Sequence, residues 1–211
     1  MKRDIILAGV GGQGILTIAY LLDNAALARG YRVKQAEVHG MAQRGGAVYS
    51  HLRISDTEVI SDLIPIGAAD MILAVEPLEV QRYLKFLSPG GVVVASREPY
   101  KNIHDYPPEE EVLAAILALP RAVLVDAKGI AEAAGVPKAQ NMAMVGAATP
   151  FLPFEIKDFE PFVKKLFSSK GERIVEANMA ALESGYRLGS ACKALLDQGL
   201  PSAEVARRLQ S

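Results

Sequence analysis

Two runs near the N-terminus carry the side chains and glycines best suited to binding or catalysis. In the first, GVGGQGILT at residues 9–17, Gly9, Gly11 and Gly14 fit G-x-G-x-x-G, with Gly12 and Gln13 between them. Between a strand and a helix, such a turn lets the chain double back and brings backbone N–H groups close to an incoming anion. The expected division of labour is a tight turn at Gly9, ligand approach at Gly11 and close helix–strand packing at Gly14. The helix start would offer unpaired N–H groups to a phosphate. Glu37, at the end of the next predicted strand, stands where a carboxylate would hold ribose hydroxyls, somewhat beyond the usual offset. The competing structural reading is a glycine turn kept for packing alone.

The second run is EVHGMAQRGGAVYSHLR at residues 37–53. Arg44 offers a planar guanidinium fork for a carboxylate or phosphate. Around it, Gly40, Met41, Gln43, Gly45 and Gly46 form a loop expected to face a substrate or a subunit interface. Gln13 and Gln43 can add neutral hydrogen bonds. His39 is a candidate acid or base, or a donor to a carbonyl. His39 and Arg44 are thus the catalytic candidates, the alternative being that both anchor the loop internally or across an interface. Elsewhere, Glu76 reads as a loop carboxylate near a helix start, Asn141 as an exposed cap, and His51 and Arg53 as residues of a solvated or interface strand face. No serine or cysteine nucleophile with its base is evident.

The apolar pattern gives the strands and helices that carry these runs. Asp4–Gly9 reads as a buried parallel strand, and Gly12–Ala28 as a helix stopped at Gly30. Strands are expected over Tyr31–Val38, Ala47–Ile54, Met71–Val75, Val92–Ser96 and Ala122–Asp126. Thr57–Ile60 is expected to return as a hairpin after the turn at Ser55-Asp56. Helices are expected over Leu78–Phe86, Glu109–Leu119, Gly129–Ala134, Ala139–Ala148, Phe159–Phe167, Glu172–Leu196 and Pro201–Leu209. In the long one, Val175, Met179, Leu182 and Tyr186 make a stripe that should pack on the sheet. The fold class is α/β: a Rossmann-like, doubly wound, mostly parallel sheet with a β-hairpin insertion and a helical C-terminal part.

Composition narrows the function. The 211 residues suit one α/β domain, and 50% hydrophobic with 22% charged residues is an ordinary globular balance. A net charge of −1 removes the main argument for nucleic acid. Cys192 stands alone, so neither an internal disulfide nor an iron–sulfur cluster has its ligands here, and the three histidines suggest no metal site. The uncharged run Ile5–Leu22 is broken by glycines and Gln13, which argues against a signal peptide or membrane helix. The expected location is cytoplasmic.

Taken together, G-x-G-G-Q-G, E-x-H-G-M-x-Q-R-G-G and the later Asn141-Met-x-Met-x-Gly146 resemble the gamma-type domain of 2-oxoacid:ferredoxin oxidoreductases. The H-G-M-x-Q-R-G-G form is most similar to the indolepyruvate branch, its small beta subunit. The resemblance covers residues 1–190, leaving 191–211 as a C-terminal helical extension. It implies a subunit with no cofactor of its own, inactive alone. A large alpha subunit would carry thiamine diphosphate and 4Fe-4S clusters. The complex would oxidise an aryl-pyruvate with coenzyme A to the aryl-acetyl-CoA, carbon dioxide and reduced ferredoxin. Coenzyme A is the ligand implied for the glycine turn, although Glu37 would repel its 3′-phosphate at close range. Two alternatives stay open on residues alone: an NAD-binding oxidoreductase, and a non-catalytic assembly module.

Overall fold

The computed structural model describes residues 1–39, 45–101 and 103–209, with the backbone alone at His39. β1 (Lys2–Val10) buries Ile5 and Leu7 on one face and Ile6 and Ala8 on the other, as an apolar run without alternation requires. Gly14 opens α1 (Ile15–Ala28). At its end, Gly30 (φ 79°) donates to the Leu27 carbonyl and Tyr31 to the Ala26 carbonyl, the double closure that a left-handed glycine permits.

β2 (Arg32–His39), β3 (Ala47–Ser55), β4 (Ala69–Ala74), β5 (Leu87–Ser96) and β6 (Ala122–Val125) complete one sheet, in the order β2-β3-β1-β4-β5-β6. β1, β4, β5 and β6 are parallel neighbours, whereas β3 runs antiparallel to both β1 and β2. The structure is therefore the expected doubly wound, mostly parallel α/β sheet. Its hairpin, however, joins β2 to β3. The expected return strand at Thr57–Ile60 is not formed.

β3 is also more enclosed than its alternation suggested, because both its faces are covered. Arg53 and His51 are buried, correcting their expected place on a solvated or interface face. Arg53 grips the fully buried Asp4 with Nε on Oδ1 at 2.9 Å and Nη2 on Oδ2 at 3.1 Å, while Nη1 donates to the Ser61 and Leu63 carbonyls. His51 accepts the Ile64 N–H at Nδ1 and lies against Tyr49 and Phe86. Burial, with Arg53 nearby, holds its pKa below the ordinary histidine value.

α2 (Pro77–Tyr83) and α3 (Glu109–Leu117) cover the Ile6 face. α1, α4 (Ala127–Ala133), α5 (Gln140–Ala148), α6 (Glu160–Phe167) and α7 (Glu172–Asp197) build on the Ile5 face. α7 packs chiefly along α5 and meets the sheet mainly at β6, not along the whole stripe expected of it. Small residues set this seam. A Cβ at Gly146 would sit 2.0 Å from the Leu182 carbonyl oxygen, and one at Gly185 would sit 2.1 Å from that of Ala143. The division between residues 190 and 191 falls inside α7. α8 (Ser202–Leu209) is pinned to β6: Ser202 Oγ donates to the Leu119 carbonyl and accepts the Ala122 N–H, both at 2.8 Å. No helix among the described residues is long and apolar enough to cross a membrane.

Candidate functional site

The two motif runs meet through their backbones. Gly11 N–H donates to the Gly46 carbonyl at 2.8 Å, and Gly45 N–H to the Gly11 carbonyl at 3.4 Å, prolonging the β1–β3 ladder past Val10. The backbone that comes close at Gly11 is thus the chain's own. Gly9 lies within β1, where a Cβ would fall 2.4 Å from Val75 Cγ2, so its part is close packing. The turn itself needs Gly12 (φ 102°) and Gly14 (φ 78°), a region that disfavours a side chain. The tight turn expected at Gly9 thus falls to Gly12 and Gly14, and Gly14 also packs closely, since a Cβ there would lie 2.5 Å from Asn141 Nδ2.

Side chains hold the other flank. Gln13 accepts the Val10 N–H at Oε1 (2.8 Å) and donates from Nε2 to the Val75 carbonyl (3.3 Å), tying the end of β1 to the end of β4. Asn141, at the start of α5, donates from Nδ2 to the Gln13 carbonyl (3.0 Å) and the Gly14 carbonyl (3.2 Å). It is a clamp on the glycine turn and not an exposed cap. Its match in the sequence pattern marked it, but nothing local showed what it would grip.

α1 leaves β1 on one face of the sheet and α2 leaves β4 on the other, so a crevice opens between the two strand ends. A cavity of about 450 Å³ lies there, lined by Gly12, Gln13, Ser96, Lys138, Gln140 and Asn141 among others. A second cavity, about 290 Å³, lies on the β2–β3 side of the same turn, lined by Gly12, Ile15, Leu16, Glu37 and Val48 among others. Because β3 intervenes, the strand bearing Glu37 stands two strand spacings from β1, roughly 10 Å. The sequence reading singled out neither Lys138 nor Ser96, and no pattern around them could have. Of the second run, Gly40, Met41, Gln43 and Arg44 lie outside the described residues, as does the His39 side chain.

The acids nearby have other work. Glu76, 1% exposed, caps α2 by accepting the Glu79 N–H at 3.0 Å, and also takes the Tyr100 N–H and the Tyr106 hydroxyl. Burial and this carboxylate push the Tyr106 phenol far up. Asp126 caps α4 through the Gly129 N–H. Burial raises Asp23 to about 7, its Oδ1 having no hydrogen-bond partner among the described residues. Burial also raises Glu79 to about 7 against the pull of Arg82. Cys192, 3% exposed, has its thiol pushed to about 11 by burial, which leaves it unreactive.

The comparisons fit this frame. The family model for pyruvate ferredoxin/flavodoxin oxidoreductase matches residues 4–188. Indolepyruvate oxidoreductase subunit IorB of Archaeoglobus fulgidus is 38% identical over 195 residues, covering 88% of this chain and 94% of that protein. Among solved structures, pyruvate oxidoreductase subunit PORC of Thermotoga maritima aligns with a TM-score of 0.64 at 22% identity, over 88% of this chain and 96% of that one. The 2-oxoglutarate:ferredoxin oxidoreductase of Magnetococcus marinus, solved with 2-oxoglutarate, coenzyme A and succinyl-CoA bound, aligns with a TM-score of 0.69 at 20% identity. That match covers 95% of this chain and 32% of the longer one. These two likenesses concern the fold. From the family match and a relative of nearly the same span, the chain belongs to the pyruvate ferredoxin/flavodoxin oxidoreductase family, as a subunit of a 2-oxoacid:ferredoxin oxidoreductase.

Proposed function

We propose that this chain is the small subunit of an enzyme that oxidatively decarboxylates indolepyruvate or another aryl-pyruvate. The carboxylate leaves as carbon dioxide, the remaining acyl group joins the coenzyme A thiol, and the two electrons pass to ferredoxin. The observation that carries this is the 38% identity to an indolepyruvate oxidoreductase subunit over nearly the full length of both chains. Thiamine diphosphate, held by a large partner subunit, would supply the carbanion chemistry of decarboxylation. Iron–sulfur clusters belong on that partner too, because a single buried thiol offers no ligand set here. The proposed setting is cytoplasmic.

This chain's share is binding and positioning. Gln13 and Asn141 fix the glycine turn, and the turn walls two cavities at the end of the sheet where α/β ligands usually lie. Coenzyme A is the cosubstrate assigned to this end. Arg44, with His39 beside the same loop, is proposed to meet the substrate carboxylate or the partner subunit. The test is aryl-pyruvate-dependent viologen reduction by the partner with and without this chain. Reduction that needs the chain supports the assignment; equal rates in both samples overturn it.

A further inference from the structure

The end of the sheet formed by β2 and β3 is covered differently on its two faces. α1 packs against both strands on the Ile5 face. On the other face, where Lys34 of β2 lies beside Arg53 of β3, the irregular segment 56–67 takes the place of a helix. Its backbone is tied down from below. Arg53 holds the Ser61 and Leu63 carbonyls, Lys34 Nζ donates to the Ile60 carbonyl at 3.0 Å, and the Ile64 N–H donates to His51. Val59 and Ile64 are buried beneath it. Ile60, Leu63 and Ile66, by contrast, stand outside at 88, 54 and 71% exposure, and Ile60 and Ile66 are the most exposed large apolar side chains among the described residues. Three branched aliphatics within seven residues, on a backbone already fixed, are suited to binding because little further ordering is needed. The rim is acidic. No lysine or arginine occurs between Arg53 and Arg82, while Asp56, Glu58 and Asp62 lie in or beside the apolar stretch. Asp56 pairs with the N-terminal ammonium and Asp62 with Lys34, whereas the exposed Glu58 has no ion pair among the described residues.

We propose that Ile60, Leu63 and Ile66 form the surface by which this chain docks on its larger partner subunit, entering an apolar recess whose rim carries lysine or arginine opposite Glu58. In the longer Magnetococcus marinus chain this fold makes up 32% of the polypeptide and is joined to the rest covalently. A separate chain has no such tether and needs an apolar contact in its place. The surface lies towards the end of β1 where Asp4 meets Arg53, away from the glycine turn that follows Val10, so docking there leaves the crevice open. The proposal rests on the subunit reading for the identity of the occupant; the surface itself stands on its exposure, its anchoring and its charge.

The test titrates the purified large subunit with the full chain and follows aryl-pyruvate-dependent viologen reduction, reading the half-saturating chain concentration apart from the plateau rate. Ile60→Ser combined with Ile66→Ser should raise the half-saturating concentration about tenfold or more and leave the plateau unchanged. Leu27→Ser, at an exposed apolar position on α1, should change neither. Glu58→Lys should raise half-saturation about threefold at low salt and less at high salt. The replaced side chains are exposed, so unchanged unfolding midpoints should show that the variants fold. Half-saturation unmoved by the double substitution, or moved equally by Leu27→Ser, overturns the surface. An unmoved Glu58→Lys overturns the basic rim of the recess. Sedimentation of the chain alone addresses the other occupant. A monomer supports the proposal; a dimer dispersed by the same two isoleucine substitutions would assign the patch to a second copy and overturn it. Failure of the unsubstituted chain to saturate the large subunit would overturn the subunit reading, whereas saturation indifferent to the isoleucines would overturn this surface alone.

Discussion

On its β4 side the glycine turn is held by side chains, Gln13 reaching the Val75 carbonyl and Asn141 reaching back from α5 to the carbonyls of residues 13 and 14. On its β3 side it is held by backbone, through the Gly11–Gly46 and Gly45–Gly11 bonds that continue a ladder running from Lys2 to Val10. The difference separates two kinds of dependence. Side-chain bracing can be removed one residue at a time, leaving the sheet intact while the crevice loosens. Ladder bracing is part of the sheet and fails only with it. The side-chain flank is therefore where ligand affinity can be altered apart from stability.

Substitutions on the two flanks should separate these dependences. Arg53→Ala, on the β3 side, leaves the buried Asp4 carboxylate with only the half-exposed Lys2 ammonium, 2.8 Å away, among its described ion-pair partners, and should cost about 3–5 kcal/mol in urea unfolding. Asp4→Asn combined with Arg53→Met should recover part of that loss. A cost below about 1 kcal/mol would contradict the buried Arg53–Asp4 pair as an anchor of β3. Gly14→Val distorts the turn that walls both cavities. Its φ of 78° disfavours a β-branched residue, and its Cβ would meet Asn141 Nδ2 at 2.5 Å. A loss of about 3 kcal/mol is expected, with coenzyme A binding abolished. Asn141→Ala should cost only about 1–2 kcal/mol yet weaken coenzyme A binding. Equal loss of affinity in Arg53→Ala variants that remain folded would break the contrast.

The smallest effect is a gain. Asp23 on α1 is raised from 3.8 to about 7 by burial, so the folded chain keeps a proton that the unfolded chain has lost. Its contribution is fully favourable below pH 3.8, declines as pH rises and levels off above about 7. Asp23→Asn should therefore stabilise the chain at pH 8 by about 1–2 kcal/mol, water reaching part of this residue. Between pH 4 and 7 the variant should show a shallower decline, the remainder coming from Glu79, shifted the same way. Parallel thermal unfolding curves for the two proteins across that range would contradict it.

Much of this architecture is legible from periodicity. Apolar runs without alternation marked β1, β4, β5 and β6, and Gly30 marked the end of α1, because these signals are local. Pairing is not local. Nothing in Ala47–Ser55 reveals that it inserts between β1 and β2, so Thr57–Ile60 looked like its natural partner. Arg53 and His51 resembled a wet face because the 60–68 segment that buries them has no period of its own. The glycine pattern located the turn but put its tight bend at Gly9 in place of Gly12 and Gly14, since the packing of Gly9 on Val75 depends on a residue 66 positions away. Lys138 gave no signal at all: a lone surface lysine gains meaning only from the cavity beside it.

The most direct measurement is indolepyruvate-dependent viologen reduction by the partner subunit, titrated with this chain in the presence of coenzyme A. Reduction should rise from near zero to a plateau at equimolar chain, and aryl-acetyl-CoA should form in step with it. Full reduction without the chain, or a plateau with pyruvate but none with indolepyruvate, would contradict the assignment.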